Sequence, residues 1–437
     1  MTADLKASFE KIKKYNGKIN ALITVVEGAQ PTVDGLLSGK TFVLKDSYLT
    51  KGIKTTAASN VLRDYVGQYN ATVYQKLLDA GATLVGKANM DAWGHGATNE
   101  NSDFGPVRNP YDLTRSAGGS GGGPAAAVTT GMADFGIGED TGGSIRNPAA
   151  WCNITALKVT YGRVSRYGCI AYASSFDSVG PTAITAQDCA LILKVIAGRD
   201  KHDATSSPEK VDDYPKMLGN SLRNLRLGWP EDLFSKEVDP EIRMAIEEAK
   251  GKFEKMGMEI IPIKMPLLFY GISLYYVIAP SETSSNLSRY DGLRFGNDRT
   301  FFGAEAKRRI MMGTYALSSG YYDAYYKKAQ QVRTLLIEEY KKAFDKCDVI
   351  LMPVMPCHPN RLGEFENDPI KNMLIDIYTV TQNTAGVPSI ALPCGFSKTG
   401  LPIGMQVVGK MFSEGALLNV GYQFQQVTNW HNRRPKI

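Results

Sequence analysis

Histidine is scarce in this chain, with four in 437 residues, at positions 95, 202, 358 and 431. A hydrolase built on a serine–histidine–aspartate relay depends on a histidine beside its nucleophile, and so thin a supply argues against that chemistry. The six cysteines, at 152, 169, 189, 347, 357 and 394, form no C-x-x-C pair. This argues against a structural zinc site and for an intracellular, reducing setting. No run of 18 or more apolar residues occurs, so no membrane span is expected. Internal repeats and low-complexity segments are missing as well. The N-terminal 23 residues hold neither an apolar signal core nor an arginine, and they read as an amphipathic helix. Fifty basic against 44 acidic residues leave a net charge of +6, too mild and dispersed to indicate direct nucleic-acid reading. What the chain does have, 43% hydrophobic and 22% charged residues, suits a soluble globular protein with a sizeable core.

Glycine, by contrast, is concentrated. Residues 118–148 read GGSGGGPAAAVTTGMADFGIGEDTGGSIRNP. Ser120 and Ser144 each follow a glycine pair, with a helix-like and then a strand-like segment between them. Paired glycines allow backbone conformations that a Cβ forbids and let the chain approach a ligand closely. A serine after such a turn can present its hydroxyl to a pocket, with neighbouring N–H groups free to hold an oxyanion. A flexible linker is the bland alternative, but apolar runs flank both turns and Arg146–Asn147–Pro148 closes the second. No Gly-Lys-Ser or Gly-Lys-Thr follows the glycine run, which excludes a phosphate-cradling loop. A serine nucleophile served by a lysine base remains.

The stretch resembles the amidase signature family. G-G-S-G-G-G is followed 24 positions later by the serine of D-T-G-G-S-I-R-N-P, and Lys45 closes the apolar T-F-V-L-K-D 99 positions before Ser144. The resemblance covers nearly the whole chain. It implies an α/β fold, a large mixed and mainly parallel sheet covered by helices on both faces, as one domain over 1–437. It also implies that Ser144 is the nucleophile and that Ser120, preceded by a cis peptide, relays the proton to Lys45. The N–H groups of Thr141, Gly142, Gly143 and Ser144 would form the oxyanion hole. A lysine accepts a proton only when neutral, and burial beside Phe42, Val43 and Leu44 would disfavour its charged form. Gly121 and Pro124 depart from the small polar residues common in the family. His95 stands where methionine is frequent and is expected as a packing residue rather than a base.

Within that family, residues 275–296, 306–336 and 375–395 are similar to the A subunits of tRNA-dependent amidotransferases. This similarity implies that Arg309, with Arg308 as its competitor, binds the α-carboxylate of free glutamine. Asp376 would bind the α-ammonium, with Tyr275 close by. A bidentate arginine suits a carboxylate. The same similarity implies partners: a B-type subunit carrying the tRNA, ATP and Mg²⁺ sites, and a small third subunit clamping the two together. No metal or cofactor is expected in this chain. Between Phe295–Gly296 and Phe302–Gly303 the chain is shorter than typical members, as is its N-terminal arm. That points to an unusual third subunit, as in a mitochondrial matrix enzyme; a bacterial cytoplasm is the other setting. Two rival readings are a stand-alone amidase for small or fatty amides and a non-catalytic scaffold subunit.

In chain order, the pattern predicts a helix over 2–15, an apolar segment at 19–26, a polar link with Pro31 and a strand at 41–46. A helix over 71–81 and a strand at 83–86 follow, and the alternation returns at 123–138 and 239–264. Such alternation predicts a mainly parallel sheet. Residues 200–220 read as a surface loop. Residues 318–346 form the longest helical stretch, with Tyr321–Tyr322 and Tyr325–Tyr326 expected in core or interface packing. Strands at 389–395 and 403–409 flank a turn near Gly400, and a last helix spans 414–427.

Overall fold

The run Thr41–Lys45 is apolar until its final lysine, and all five residues are buried. A strand covered on both faces is continuously apolar rather than alternating. In the computed structural model, which describes residues 3–30, 33–234, 238–366 and 368–437, this run is the second of thirteen strands among the described residues. The first seven are β1 (Leu22–Val25), β2 (Thr41–Lys45), β3 (Thr83–Ala88), β4 (Arg108–Asn109), β5 (Asp112–Ser116), β6 (Phe135–Asp140) and β7 (Thr155–Lys158). The rest are β8 (Ser178–Ala183), β9 (Arg226–Pro230), β10 (Glu259–Ile263), β11 (Val349–Pro353), β12 (Ser389–Phe396) and β13 (Pro402–Gly409).

β4 and β5 form a separate ribbon, and the other eleven join one sheet in the order β1-β3-β2-β6-β8-β7-β12-β13-β11-β9-β10. The sheet is mixed, and its parallel pairings are gathered into two wings, β3-β2-β6 and β11-β9-β10. The strands between those wings, and β1 at the edge, pair antiparallel. Parallel order is therefore less extensive than the αβ alternation suggested. Alternation reports that helices intervene between strands, but it does not fix strand direction, and β12–β13 is a plain hairpin around Gly400 (φ +84°).

The all-buried helix Gly122–Thr129 packs on the β3-β2-β6 wing. Its run of glycine, proline and alanine lets it sit close: a Cβ on Gly136 of β6 would lie 3.0 Å from Pro124 Cβ. Ligand sites in parallel sheets lie beyond the carboxyl ends of the strands. Lys45 ends β2, Asp140 ends β6, and the Ser144 turn follows directly.

The first helix, Ala3–Ile19, runs a turn past its expected end. Residue 2 and Pro31 lie outside the described residues. Residues 200–220 hold one 3-10 turn, Tyr214–Met217, whose Tyr214 is buried. The 318–346 stretch resolves into a π-helical turn, Asp323–Lys327, and the helix Lys328–Lys346. Tyr321, Tyr322 and Tyr325 are 42–44% exposed, so they are surface residues of this chain and not core. Tyr321 instead stacks near Tyr315, centroids 4.2 Å apart. The segment 296–302 closes with Asp298 capping the 3-10 turn Arg299–Phe301.

Candidate active site

Two glycine turns meet here, and both are shaped by close approach. The Gly119–Ser120 peptide is cis, and a Cβ on Gly119 would come within 2.1 Å of Asp91 Oδ2. Gly143 sits at φ +130°, a conformation open to glycine and costly for a residue with a Cβ. The turns are joined by the Gly121 N–H, which donates to the Ser144 carbonyl at 3.0 Å.

Lys45 Nζ donates to Ser120 Oγ at 2.8 Å. Lys45 and Ser120 are fully buried, whereas Ser144 keeps 7% of its surface exposed. The member of the expected trio that a substrate can reach is thus Ser144. A direct hydroxyl–hydroxyl bond between the two serines is not among the hydrogen bonds of the described residues. The lysine's surroundings are less apolar than its strand suggested. Glu139 Oε1 lies 3.4 Å from Nζ, and the Glu139 carbonyl is also 3.4 Å away.

In the Thr141–Ser144 turn, the Gly143 N–H donates to Asp140 Oδ1 at 2.8 Å, so it is already engaged. The Thr141 hydroxyl donates to Asp177 Oδ1 at 2.7 Å. The Gly142 carbonyl accepts from Thr379 Oγ1 at 2.7 Å. Tyr275 lies directly against Gly142, where an added Cβ would be 2.7 Å from its hydroxyl. Its ring stacks on Phe176, centroids 5.7 Å apart.

Asp140 and Arg146 fix this turn from below. Arg146 donates to both Asp140 oxygens, at 3.0 and 2.9 Å, and to Gln382, Gln406, Asn383 and the Thr379 carbonyl. Burial by itself would raise the Asp140 carboxyl; the Arg146 charge and hydrogen bonds outweigh it and hold it below its ordinary 3.8. That contribution to stability is present above the ordinary carboxylate range and is lost as pH falls through the lowered folded value. Arg146→Leu leaves Asp140 buried without its partner. The expected cost is about 3–5 kcal/mol of unfolding free energy, read from the midpoint of a urea denaturation curve.

Next to the turn stand the residues expected to hold glutamine. Asp376, in the 3-10 turn Ile375–Tyr378, accepts from Asn147 Nδ2 at 2.7 Å and from the Tyr276 hydroxyl at 3.2 Å. Asn147 lies three residues beyond Ser144, so the hydrogen bond ties the pocket to the helix that follows Ser144, Arg146–Cys152. Arg309, from the helix Ala304–Leu317, is 4% exposed and donates to Glu305 at 2.7 Å and to the Tyr172 hydroxyl. Its guanidinium lies 5.2 Å from the centroid of the Tyr276 ring. Arg308, the competing arginine, is the more exposed of the two and pairs with Glu305 at 2.6 Å. Burial raises the Asp376 carboxyl to about 7, against the opposing pull of Arg309 and its two hydrogen bonds.

His95 is fully buried, with Nε2 3.0 Å from Thr283 Oγ1 and its ring edge-on to Tyr172. Burial and then the Arg309 charge push its imidazole well below 6.5, so it stays neutral. It packs beside the pocket, as expected. Sequence reasoning missed Tyr276, Asn147 and Glu139. Signals were present: Tyr276 is the second of a Tyr-Tyr pair, Asn147 closes the turn, and Glu139 directly precedes D-T-G-G-S.

Comparison with known proteins gives this geometry its relatives. A family model described as Amidase matches residues 4–418. The A subunit of the glutamyl-tRNA(Gln) amidotransferase of Desulfatibacillum aliphaticivorans is 44% identical, covering 99% of this chain and 95% of that one. The protein of the same name from Sulfurihydrogenibium sp. (strain YO3AOP1) is 45% identical over 98% of this chain and 90% of its own. The crystal structure of the Thermotoga maritima protein of that name superposes with a TM-score of 0.86 at 39% identity, covering 95% of this chain and 89% of that one. 6-Aminohexanoate cyclic dimer hydrolase, at 24% identity, shares the fold with a TM-score of 0.89, covering 99% and 94%. The chain belongs to the amidase family.

Proposed function

We propose that this chain is a glutaminase subunit of a tRNA-dependent amidotransferase, in which Ser144 attacks the side-chain amide of free glutamine. The observation that carries the reading is the 2.8 Å contact of Lys45 Nζ with Ser120 Oγ, in a turn bonded to the Ser144 turn, beside a buried Arg309 and Asp376. A poor nucleophile such as a hydroxyl needs a proton acceptor. Ser120 relays the Ser144 proton to Lys45 as the Ser144–carbon bond forms. With Gly143 committed to Asp140, the N–H groups of Thr141, Gly142 and Ser144 receive the carbonyl oxygen as it gains charge. Return of the proton to the departing nitrogen releases ammonia and leaves an acyl-enzyme for water. Arg309 holds the α-carboxylate and Asp376 the α-ammonium, with Tyr275 covering the oxyanion turn.

Ammonia set free in water is protonated and lost as a nucleophile, so the product belongs in a passage to a second subunit. That B-type partner would carry the tRNA, ATP and Mg²⁺ sites and amidate Glu-tRNA, with a small third subunit clamping the pair. The relatives' names, which are those of one component of such an enzyme, support this reading. No described helix is long and apolar enough to cross a membrane. The bacterial relatives support a bacterial cytoplasm as the setting, while the short segment between Phe295 and Gly303 supports an unusual third subunit, as in a mitochondrial matrix enzyme. The test is ammonia release from glutamine by the purified chain. Weak activity alone, rising severalfold with the B-type partner, Glu-tRNA and ATP, is expected. Full activity that ignores those additions, with no complex on gel filtration, would favour a stand-alone amidase.

A further inference from the structure

Lys45 has a neighbour that works against its role as a base. Glu139, 1% exposed, places Oε1 3.4 Å from Lys45 Nζ. Its other oxygen accepts from Ser47 Oγ at 3.1 Å and from Cys169 Sγ at 2.6 Å. A carboxylate this close favours the ammonium form of a lysine, and an ammonium accepts no proton from Ser120. The conflict disappears when the two groups are treated as a pair sharing one proton. In a site this buried, the neutral amine and neutral acid avoid the cost of two buried charges.

We propose that Glu139 is a positioning residue for Lys45 and the store for its proton. The Nζ–H bond breaks and an Oε1–H bond forms, leaving a neutral amine opposite Ser120 and a neutral carboxyl that donates back to the amine. The amine then takes the Ser120 proton as Ser120 takes that of Ser144. The proton taken by the amine returns along the same groups to the departing nitrogen, while Glu139 keeps its own. Both forms of Glu139 are satisfied, because Ser47 and Cys169 donate to Oε2 in either. This inference rests on the Ser144–Ser120–Lys45 reading above.

The surroundings supply what a proton store needs. A cavity of about 160 Å³ runs from Glu139 and Cys169 past Asp177 to the exposed His202, which lets the store exchange with water. The charged and titratable groups facing Glu139 are Lys45, Tyr48, Cys169 and Asp177, with Arg166 and Asp203 further along the cavity. Burial, then the Glu139 charge, pushes the Cys169 thiol well above 9.0, so it stays a donor. Burial, then Cys169 and Glu139, likewise keeps Tyr48 a neutral phenol. Burial and then the Glu139 charge raise Asp177 to about 7, which puts a second exchanging carboxyl on the same cavity.

A pair that shares one proton holds the same proton count between its two macroscopic titrations, so the rate there is level in pH. The experiment is the pH profile of kcat at saturating glutamine, for the full chain with its partner proteins where they co-purify. That quantity reports groups of the bound complex and so leaves out the titration of Asp376 in the empty pocket. Glu139→Gln keeps an acceptor oxygen but stores no proton. Its expected profile gains an acid limb falling about tenfold per pH unit, at least ~10-fold below wild type at pH 6 and much closer at pH 9. Glu139→Asp is expected to keep the level profile. An equal loss at every pH in Glu139→Gln, no loss at all, or an acid limb in Glu139→Asp overturns the proposal. Ser144→Ala belongs in the same series. If it is inactive while the Glu139→Gln profile is unchanged, the proton store alone is wrong; if it turns over normally, the serine assignment itself is wrong.

Discussion

Ser144→Ala is expected to lower the turnover of glutamine by roughly 10⁴–10⁶-fold, the scale on which members of a catalytic unit act, while leaving the fold unchanged. The side chain keeps 7% of its surface exposed, and among the described residues its hydroxyl makes no hydrogen bond that the fold depends on. The anchoring of the turn runs instead through backbone and neighbours: the Gly121 N–H on the Ser144 carbonyl, and Asp140 on the N–H groups of Gly143 and Ile145. Ser120→Ala should be comparably severe, and the double variant little worse than either single one, because relay members act together and their effects do not add. Lys45→Ala is a poorer probe. It strands Glu139 in the interior without its cation, an arrangement that by itself costs about 3–5 kcal/mol, so lost activity there mixes chemistry with folding. The measurement is glutaminase turnover alongside a urea denaturation curve for each variant. Near-normal turnover in Ser144→Ala, or an acyl group trapped on a different residue, would refute the assignment.

The lysine and the two serines proposed for the relay were legible as residues that meet, because their surroundings are written locally. T-F-V-L-K is a strand buried on both faces and ending in a charge, and paired glycines before a serine mark a turn pressed against other backbone. The helix–strand succession was legible for the same reason, since apolar period and caps are local properties. Strand direction was legible only in part: the short turn at Gly400 makes β12 and β13 an antiparallel hairpin, but nothing in either strand says that β12 runs antiparallel to β7 and β13 to β11. Glu139 illustrates a different limit. Its side chain leaves β6 toward Lys45 on β2, and the pairing of those two strands, Leu44 opposite Ile137, is what brings the charges together. Tyr276 and Asn147 were missed because each meets Asp376 from more than ninety residues away in sequence, at separations of 100 and 229. For the tyrosines at 321, 322 and 325 the core half of the expectation fails, since an aromatic pattern does not reveal which face of a turn and the π-helical turn after it is left exposed.

Asp376→Ala and Arg309→Ala are each expected to weaken the use of glutamine by about 1.5–3 kcal/mol, the worth of a hydrogen bond to a charged group. That corresponds to roughly 10- to 150-fold in kcat/KM. The two residues are bridged by Tyr276, whose hydroxyl reaches Asp376 at 3.2 Å and whose ring lies 5.2 Å from the Arg309 guanidinium. Each stands ready for one end of a zwitterion. Simple amides lacking the amino and carboxyl groups should therefore lose far less, and equal losses on both substrate classes would make the residues structural. The pH dependence follows from the carboxyl of Asp376, which burial raises to about 7 in the empty pocket. Only its ionised form pairs with the α-ammonium, and a bound cation favours that form. Below pH 7 the free pocket is increasingly protonated, so glutamine must displace a proton to bind. KM is then expected to rise as pH falls through about 7, approaching tenfold per unit, while Asp376→Asn flattens that dependence. A KM that stays level from pH 8 to pH 5 in the unsubstituted chain would mean that Asp376 does not hold the ammonium group.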